Sequence, residues 1–306
     1  MFAGCMATLL SAGIGLATIA VLLGRLGWPW ELSTHFRPHL IVASLLLGSG
    51  LAAVGAWPQS VACLAALAAN LATFPRLHFV AAREAASEAG VTIVWANVWK
   101  RSTALVRTIG FARDQGADVI LLGEFPDIDP QALAQLAPEY PFVIDPGPAL
   151  GRFTTRVVAM SRIPISNVRV TEPPSGPRRA VIWFTLETGR KHLNVSAVHP
   201  AAPGTPSMLR DRNALIVQTL DAAQAPYLIA GDFNAAPWSP ILSNITPQRV
   251  GNPVLESTWL TRWPLFGLPI DQLFVSDDVR PTAYRVGPYL GSDHRALLVR
   301  CHVDGR

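Results

Sequence analysis

Eight polar residues stand inside or at the ends of apolar runs: Asn97, Glu124, His199, Asp232, Asn234, Asp271 and the adjacent pair Asp293 and His294. Burying such groups is costly unless they pair with one another or hold a cation. One polar residue at a strand end is ordinary. A recurrence of Asp, Glu, Asn and His at the ends of successive apolar runs points to a shared site. Oxygen-rich donors of this kind suit a hard divalent cation: Mg²⁺, with Mn²⁺ or Ca²⁺ as alternatives. Zinc chemistry is disfavoured. The three cysteines, Cys5, Cys63 and Cys301, are far apart and form no CxxC pair, and no HExxH motif occurs.

The segments that carry these residues read as strands. VTIVWANVW (91–99) brings Asn97, and ADVILLGE (117–124) ends at Glu124. HLNVSAVH (192–199) ends at His199, and PYLIAGDFN (226–234) carries Asp232 and Asn234. PIDQLFVS (269–276) brings Asp271, and HRALLVRCHV (294–303) begins at His294. Residues 153–161 and 179–187 are further strand candidates. Apolar spacing predicts helices over 102–115 and over 207–223. Many strands with few intervening helices predict an α/β (α+β) four-layer sandwich, two packed mixed sheets flanked by helices, rather than a strictly alternating βαβ fold.

The order Asn97, Glu124, VVAMSRIPI, VSAVHP, LIAGDFNAAPWS, PIDQLFVS, GSDHRALLV resembles the endonuclease/exonuclease/phosphatase superfamily, the DNase I-like and exonuclease III-like fold. The match spans about residues 91–303, and the apolar front end is similar to the bacterial membrane-anchored branch. The resemblance implies roles. Glu124 matches the metal-binding glutamate, with Asn97 beside it on the metal or phosphate and Asp293 as the second metal-side carboxylate. Asp232 and Asn234 match the pair that orients the attacking water and contacts the phosphate. His294 matches the catalytic histidine and Asp271 the carboxylate that holds it. His199 matches an additional histidine of the DNase I and sphingomyelinase branches. Such a set suits phosphodiester hydrolysis, which needs phosphoryl charge neutralised and a water activated. Three positions depart from the family pattern: Trp99 lies two after Asn97, Gly123 precedes Glu124 where glutamine is frequent, and Gln272 follows Asp271.

The composition is divided along the chain. Of its 306 residues, 50% are hydrophobic and only 15% charged, against about 25% charged in average soluble domains. Residues 1–75 hold only Arg25, Glu31 and Arg37 as charged side chains. The charge-free run from Phe2 to Gly24 is 23 residues long, and about 20 residues cross a bilayer core. A second charge-free run, from Pro38 to Pro75, breaks at Ala56-Trp57-Pro58-Gln59. It predicts helices over about 39–56 and 60–74. The sequence thus predicts a membrane region over 1–75 with about three transmembrane helices, a linker over 76–90 and a catalytic domain over 91–306. Trp28, Trp30 and Trp57 fall at the predicted span ends, where amphipathic aromatics gather. Arg25, Arg37, Arg76 and Arg83 share one side, so the positive-inside rule leans the globular part to the cytoplasmic face of the plasma (inner) membrane.

The sequence therefore predicts a membrane-anchored, divalent-metal-dependent hydrolase of phosphate esters, a phosphodiesterase or nuclease first. The alternatives are a phosphatase or phospholipase C-like enzyme on a phospholipid head group, and a catalytically inactive membrane scaffold of the same fold. The expected partners are a phosphodiester or phosphomonoester substrate (nucleic acid or phospholipid head group) and the bilayer, with no obligate protein partner. A net charge of +4 is weaker than a dedicated duplex binder usually shows. Arg156, Arg162, Arg178, Arg179, Arg190 and Lys191 are the candidates for a phosphate-facing surface.

Overall fold

The computed structural model describes residues 2–82, 90–147, 156–171, 181–188, 191–243, 245, 248–251 and 256–304. The chain divides into two compact units. One comprises Met1–Leu77 with the short segments Pro203–Leu209 and Ala236–Ile245; the other comprises His78–Ala202, Arg210–Ala235 and Thr246–Arg306.

The first unit is helical. It contains α1 (Phe2–Leu22), the short α2 (Trp30–Thr34), α3 (Arg37–Ala53) and α4 (Trp57–Ala72), with Pro38 and Pro58 in the first turns of α3 and α4. Proline fits there because the first-turn N–H groups have no helical acceptor. Among the described residues, Gly4–Leu26 is the one stretch long and apolar enough to cross a membrane by itself. The polarity is inverted relative to a water-soluble bundle. Ser11, Thr18, Ser44, Ser60 and Asn70 are buried, while Leu9, Leu16, Ile19, Leu46, Val54, Trp57 and Val61 are exposed. The buried polar groups join the helices. Asn70 Nδ2 donates to Thr18 Oγ1 at 3.1 Å and Ser60 Oγ to the Gly48 carbonyl at 2.7 Å.

The second unit is the two-sheet sandwich that the apolar runs predict. Its strands are β1 (Phe79–Val80), β2 (Val91–Asn97), β3 (Val119–Gly123), β4 (Phe142–Ile144), β5 (Val158–Ser161), β6 (Ile165–Thr171) and β7 (Val181–Thr188). They are followed by β8 (Lys191–Val198), β9 (Tyr227–Asp232), β10 (Gln248–Val250), β11 (Asp271–Val275), β12 (Val279–Val286) and β13 (Leu297–Val303). One mixed sheet runs β1-β10-β11-β9-β8-β7-β6 and the other β12-β13-β2-β3-β5-β4. Flanking helices are α5 (Ser102–Asp114), α6 (Pro130–Leu136) and α7 (Pro206–Asp221), whose residues from 210 on belong to this unit.

The inner strands β2, β3 and β5 of the second sheet are buried on both faces, so they read as nearly continuous apolar runs. Ile93 and Trp95 of β2 and Leu121 of β3 face the core between the sheets, with Phe184, Val195, Leu273 and Val299. Val94, Ile120 and Leu122 face the other way, into a second core with Leu105 and Ile109 of α5.

Some strands escape the sequence reading. β6 and β12 are sheet edges, β6 mostly exposed and β12 partly so, both with polar residues interspersed, and each carries an irregularity, β12 at Pro281; edge strands commonly look this way. β1 lies inside the stretch read as a linker and pairs parallel with β10. α6 starts at an Asp129 cap whose carboxylate accepts from Ala132 N, with Pro130 at the first position, a start signal the reading missed. Of the strand candidates, residues 153–155 and 179–180 lie outside the described residues.

Candidate active site

The registers of three strand pairs set the site. β2 and β3 run parallel with Asn97 opposite Gly123, so Glu124 is the first residue beyond the pair. β9 and β11 run antiparallel with Asp232 directly opposite Asp271. β8 runs parallel to β9 with Val198 opposite Gly231, which delivers His199 beside Asp232. Gly231 permits this approach, because a Cβ there would lie 2.1 Å from the Val198 carbonyl oxygen. The backbone is strained at the same place. Of the non-glycine residues with positive φ among those described, Trp99, Lys100, Glu124 and Asn234 all flank the site; such strain clusters where geometry serves chemistry.

The side chains meet as a network around Asp232. Its carboxylate is buried and accepts from Asn234 N at 2.9 Å and from Asn97 Nδ2 at 3.1 Å. His199 Nε2 lies 3.2 Å and His294 Nε2 3.6 Å from Asp232 Oδ2. Burial by itself would raise this carboxyl, but the His294 charge and the His199 hydrogen bond win and draw it down to about 2. His294 Nδ1 is held by Asp271 Oδ2 at 2.8 Å. Burial opposes a charged imidazole, yet the flanking Asp271 and Asp232 carboxylates overcome it and push His294 up to about 10. Near neutral pH the pair is therefore an Asp232 carboxylate facing a His294 imidazolium.

Sequence reasoning brought together seven residues that the structure joins by direct contact: Asn97, Glu124, His199, Asp232, Asn234, Asp271 and His294. Asp293 is differently placed. Its carboxylate meets Trp259 Nε1 at 3.3 Å and Ser292 Oγ at 3.3 Å, and no contact joins it to Glu124 among the described residues. Asn97 turns its amide nitrogen to Glu124 Oε1 at 3.2 Å, while its oxygen accepts from Trp99 N at 3.0 Å.

Two donor sets could attract a cation. Asp232, Asp271 and His294 bring ligand atoms within 4.8 Å of one another. Both nitrogens of His294 already face carboxylates there, so the imidazolium itself is the cation of that cluster. Glu124 is the better host. Its carboxylate is partly exposed, is a hard oxygen donor and has no arginine or lysine partner among the described residues.

Several supporting residues were not foreseen. Trp95, read only as part of a strand, donates its indole N–H to Asp271 Oδ1 at 2.7 Å. Its ring fills the space where a Cβ at Gly123 would come within 2.8 Å. Gly123, a departure from the family pattern, is thus the room that Trp95 needs. Arg212 is fully buried on α7 and donates from Nη1 to the Asn234 carbonyl at 2.9 Å. Gln272, another departure, donates to the Ala235 and Pro269 carbonyls at 3.2 and 2.6 Å and fixes the turn after Asn234. Ser292 Oγ donates to the Asn97 carbonyl at 2.7 Å and accepts from His294 N at 3.1 Å. A serine before Asp-His was the one available sign of this link.

A profile of the "Endonuclease/Exonuclease/phosphatase family" matches residues 94–294. The chain belongs to this family. Three solved structures illustrate the fold it shares. A family protein from Beutenbergia cavernae is 19% identical with a TM-score of 0.60, covering 71% of this chain and 72% of that one. D. rerio TDP2, solved with a single-strand DNA product, is 17% identical with a TM-score of 0.57, over 71% of this chain and 100% of its own. The human Nocturnin catalytic domain, with bound sulfate, is 17% identical with a TM-score of 0.51, over 70% and 93%. No curated protein matches the chain by sequence. As an endonuclease/exonuclease/phosphatase family member, the protein has the fold and carboxylate–histidine cluster of a phosphoester hydrolase.

Two of the basic residues considered as a phosphate-facing surface are engaged elsewhere in the protein. Arg156 is committed to Asp145 and Asp127, and Lys191 donates to the Val303 carbonyl at 2.6 Å. Arg178, Arg179 and Arg190 lie outside the described residues. Trp99 is the exposed aromatic beside the site, with the Arg101 guanidinium 3.7 Å from its ring centre.

Proposed function

We propose that the protein is a membrane-anchored, Mg²⁺-dependent phosphodiesterase of the nuclease type. The observation that carries the reading is the Asp232 carboxylate set between His199 and the Asp271-held His294 imidazolium. When bound at Glu124, Mg²⁺ neutralises phosphoryl charge and polarises the phosphorus–oxygen bonds. The chain does the rest. Asp232 accepts a proton from the attacking water, whose oxygen forms the new bond to phosphorus. The His294 imidazolium donates to a phosphate oxygen from Nε2, since Nδ1 is occupied by Asp271. His199, whose Nε2 faces the site 3.2 Å from Asp232 Oδ2, delivers a proton to the leaving oxygen as its bond to phosphorus breaks. Asn234 and Asn97 hold the carboxylates and contact the phosphate. Asp293, whose carboxylate meets Trp259 and Ser292, would serve as the second metal-side carboxylate only through the longer reach that the family resemblance implies.

A nucleic-acid phosphodiester is the leading substrate, which the DNA product bound to D. rerio TDP2 supports. The exposed Trp99 stacked by Arg101 offers a flat face for a base. A lipid phosphoester is the second reading, favoured by the apolar exterior of the helical unit.

That exterior supports retention in a bilayer. The α1 run supplies one crossing, and the pairing of Asn70 with Thr18 gives α1 a lasting partner in α4, as a cleaved signal would not have. At 1.5 Å per residue, α3 and α4 reach only about 25 Å, short of the roughly 30 Å core. They form a hairpin, so Arg76 returns to the side of Arg25 and Arg37 whatever its depth. The positive-inside rule makes that side cytoplasmic.

The test uses detergent-purified full-length protein and bis-p-nitrophenyl phosphate. Turnover is expected to require Mg²⁺ and to fall about 10²–10⁴-fold in Asp232→Asn. Equal turnover in chelator, or in the variant, would defeat the reading.

A further inference from the structure

The helical unit contains a cavity of about 390 Å³ that the reaction does not use. It lies where the α1 run ends, α3 begins and α4 ends. Its polar lining is Arg25, Arg37, Thr34, Thr73 and Ser243, with Trp238 beside them. Its size falls within the roughly 300–1,000 Å³ usual for small-ligand sites.

The donors decide what it can hold. Thr34 Oγ1 donates to the Glu31 carbonyl at 2.6 Å and Thr73 Oγ1 to the Ala69 carbonyl at 2.8 Å, so the hydroxyl protons are spent. The guanidiniums are not. Arg37, only 7% exposed, uses Nε on Asn70 Oδ1 at 3.3 Å, Nη1 on the Thr73 carbonyl at 2.9 Å, and Nη2 on Thr73 Oγ1. Two of its five N–H donors remain. Arg25 has no hydrogen-bond or ion-pair partner among the described residues. No carboxylate lines the cavity. The buried Arg37 guanidinium has no counter-charge among the described residues, which is costly, and the exposed Arg25 on the same cavity adds a second unpaired positive charge, so the two together call for an anion. Planar guanidiniums match phosphate oxygens in pairs.

The setting selects the source. Trp28 and Trp30, each 40% exposed, follow the α1 run directly, at the level where aromatics mark the head-group zone. Trp238 is anchored there too, with its indole N–H on the His35 carbonyl at 3.1 Å and its ring 6.1 Å from Phe74. We propose that this cavity binds the phosphate of an anionic phospholipid, with Arg25 and Arg37 as the phosphate donors and Trp238 against the head group. The proposal rests on the bilayer reading of the helical unit.

The experiment is native mass spectrometry of the full chain after equilibration with phosphatidylglycerol, phosphatidylcholine or free glycerol phosphate. One phosphatidylglycerol is expected to remain bound. Retention is expected to drop about tenfold in Arg25→Gln, the size of losing one charge-assisted partner. Arg25 bonds to nothing else, so this variant keeps its fold; Arg37→Lys, which keeps the charge but loses the fork, is expected to weaken retention as well. Equal retention of phosphatidylcholine, equal capture of glycerol phosphate, or no effect of either variant would overturn the proposal. Carbonate extraction of membranes is run in parallel. Protein that stays in the pellet but retains no lipid defeats this site alone, whereas protein released by carbonate defeats the bilayer reading.

Discussion

The two units of this chain bury opposite things. In the helical unit Asn70, Ser60 and Thr18 are inside and leucines are outside. In the sandwich Ile93, Leu121 and Phe184 are inside, and the buried carboxylates and histidines of the site, Asp232, Asp271, His199 and His294, meet at strand ends. The bilayer proposed for the helical unit would explain the contrast. In lipid, apolar side chains gain nothing by clustering, so polar and small groups join helices. In water the apolar residues build the core, and a buried charge must be held by a partner. Buried polar residues therefore join helices in the first unit, whereas in the second some of them, Asp232 and His294 first, are also placed for chemistry.

That contrast can be attacked first at Asp271. Its carboxylate holds both Trp95 and His294, so Asp271→Ala leaves a buried imidazole and an indole N–H without their acceptor. Turnover of bis-p-nitrophenyl phosphate is expected to fall about 10²-fold or more, and chemical denaturation to show about 3–5 kcal/mol of lost stability. The pH dependence sharpens the test. His294 is raised from its ordinary 6.5 to about 10, so its pairing stabilises the fold fully below about pH 6.5 and the benefit is lost as pH rises through about 10. Asp232 is lowered from 3.8 to about 2, so its share is present above about pH 3.8 and lost as pH falls through about 2. The stability gap between wild type and His294→Ala should be widest between these limits and shrink at alkaline pH. A gap unchanged at pH 11 would mean that His294 is not held as an imidazolium.

Gly123→Ala should have a middling effect. The new methyl meets the Trp95 ring, which must tilt away from Asp271. A loss of about 1–3 kcal/mol is expected from overpacking, with turnover reduced. Combining it with Trp95→Phe should recover stability but not full activity. Recovery of both would show that the indole N–H does not position Asp271.

The smallest effect is expected in the helical unit. Ser60→Ala removes one hydrogen bond to the Gly48 carbonyl. Helix association should weaken by about 0.6 kcal/mol, with turnover unchanged. A large loss of turnover would erase the distinction between adhesive and reactive polar groups.

The sequence made the doubly buried strands plain, because β2, β3, β9 and β11 are largely apolar runs bounded by the site residues. The edge strands β6 and β12 were not legible, since solvent relieves them of any apolar pattern. The site residues stood out because Asp, Glu, Asn and His are conspicuous at the ends of such runs. Their supports did not. Trp95 looks like any core aromatic until Asp271, 176 residues later, is placed against it. Arg212 looks like a surface residue of a helix until the Asn234 carbonyl is found at its tip. Such roles belong to pairs of distant positions, and neither partner announces the other.

The interleaving of the units bears on how the chain is made. The helical unit includes Pro203–Leu209 and Ala236–Ile245, so its set of parts is incomplete when Leu77 leaves the ribosome. At roughly 5–20 residues per second, the missing pieces follow on the order of ten to thirty seconds later. Through that interval the His35 carbonyl waits without the Trp238 indole that it later accepts from. A translational pause or a premature stop between the two would leave the first helices made and their last components delayed or never supplied. A fragment expressed from His78 onward would likewise carry a tryptophan loop severed from its acceptor.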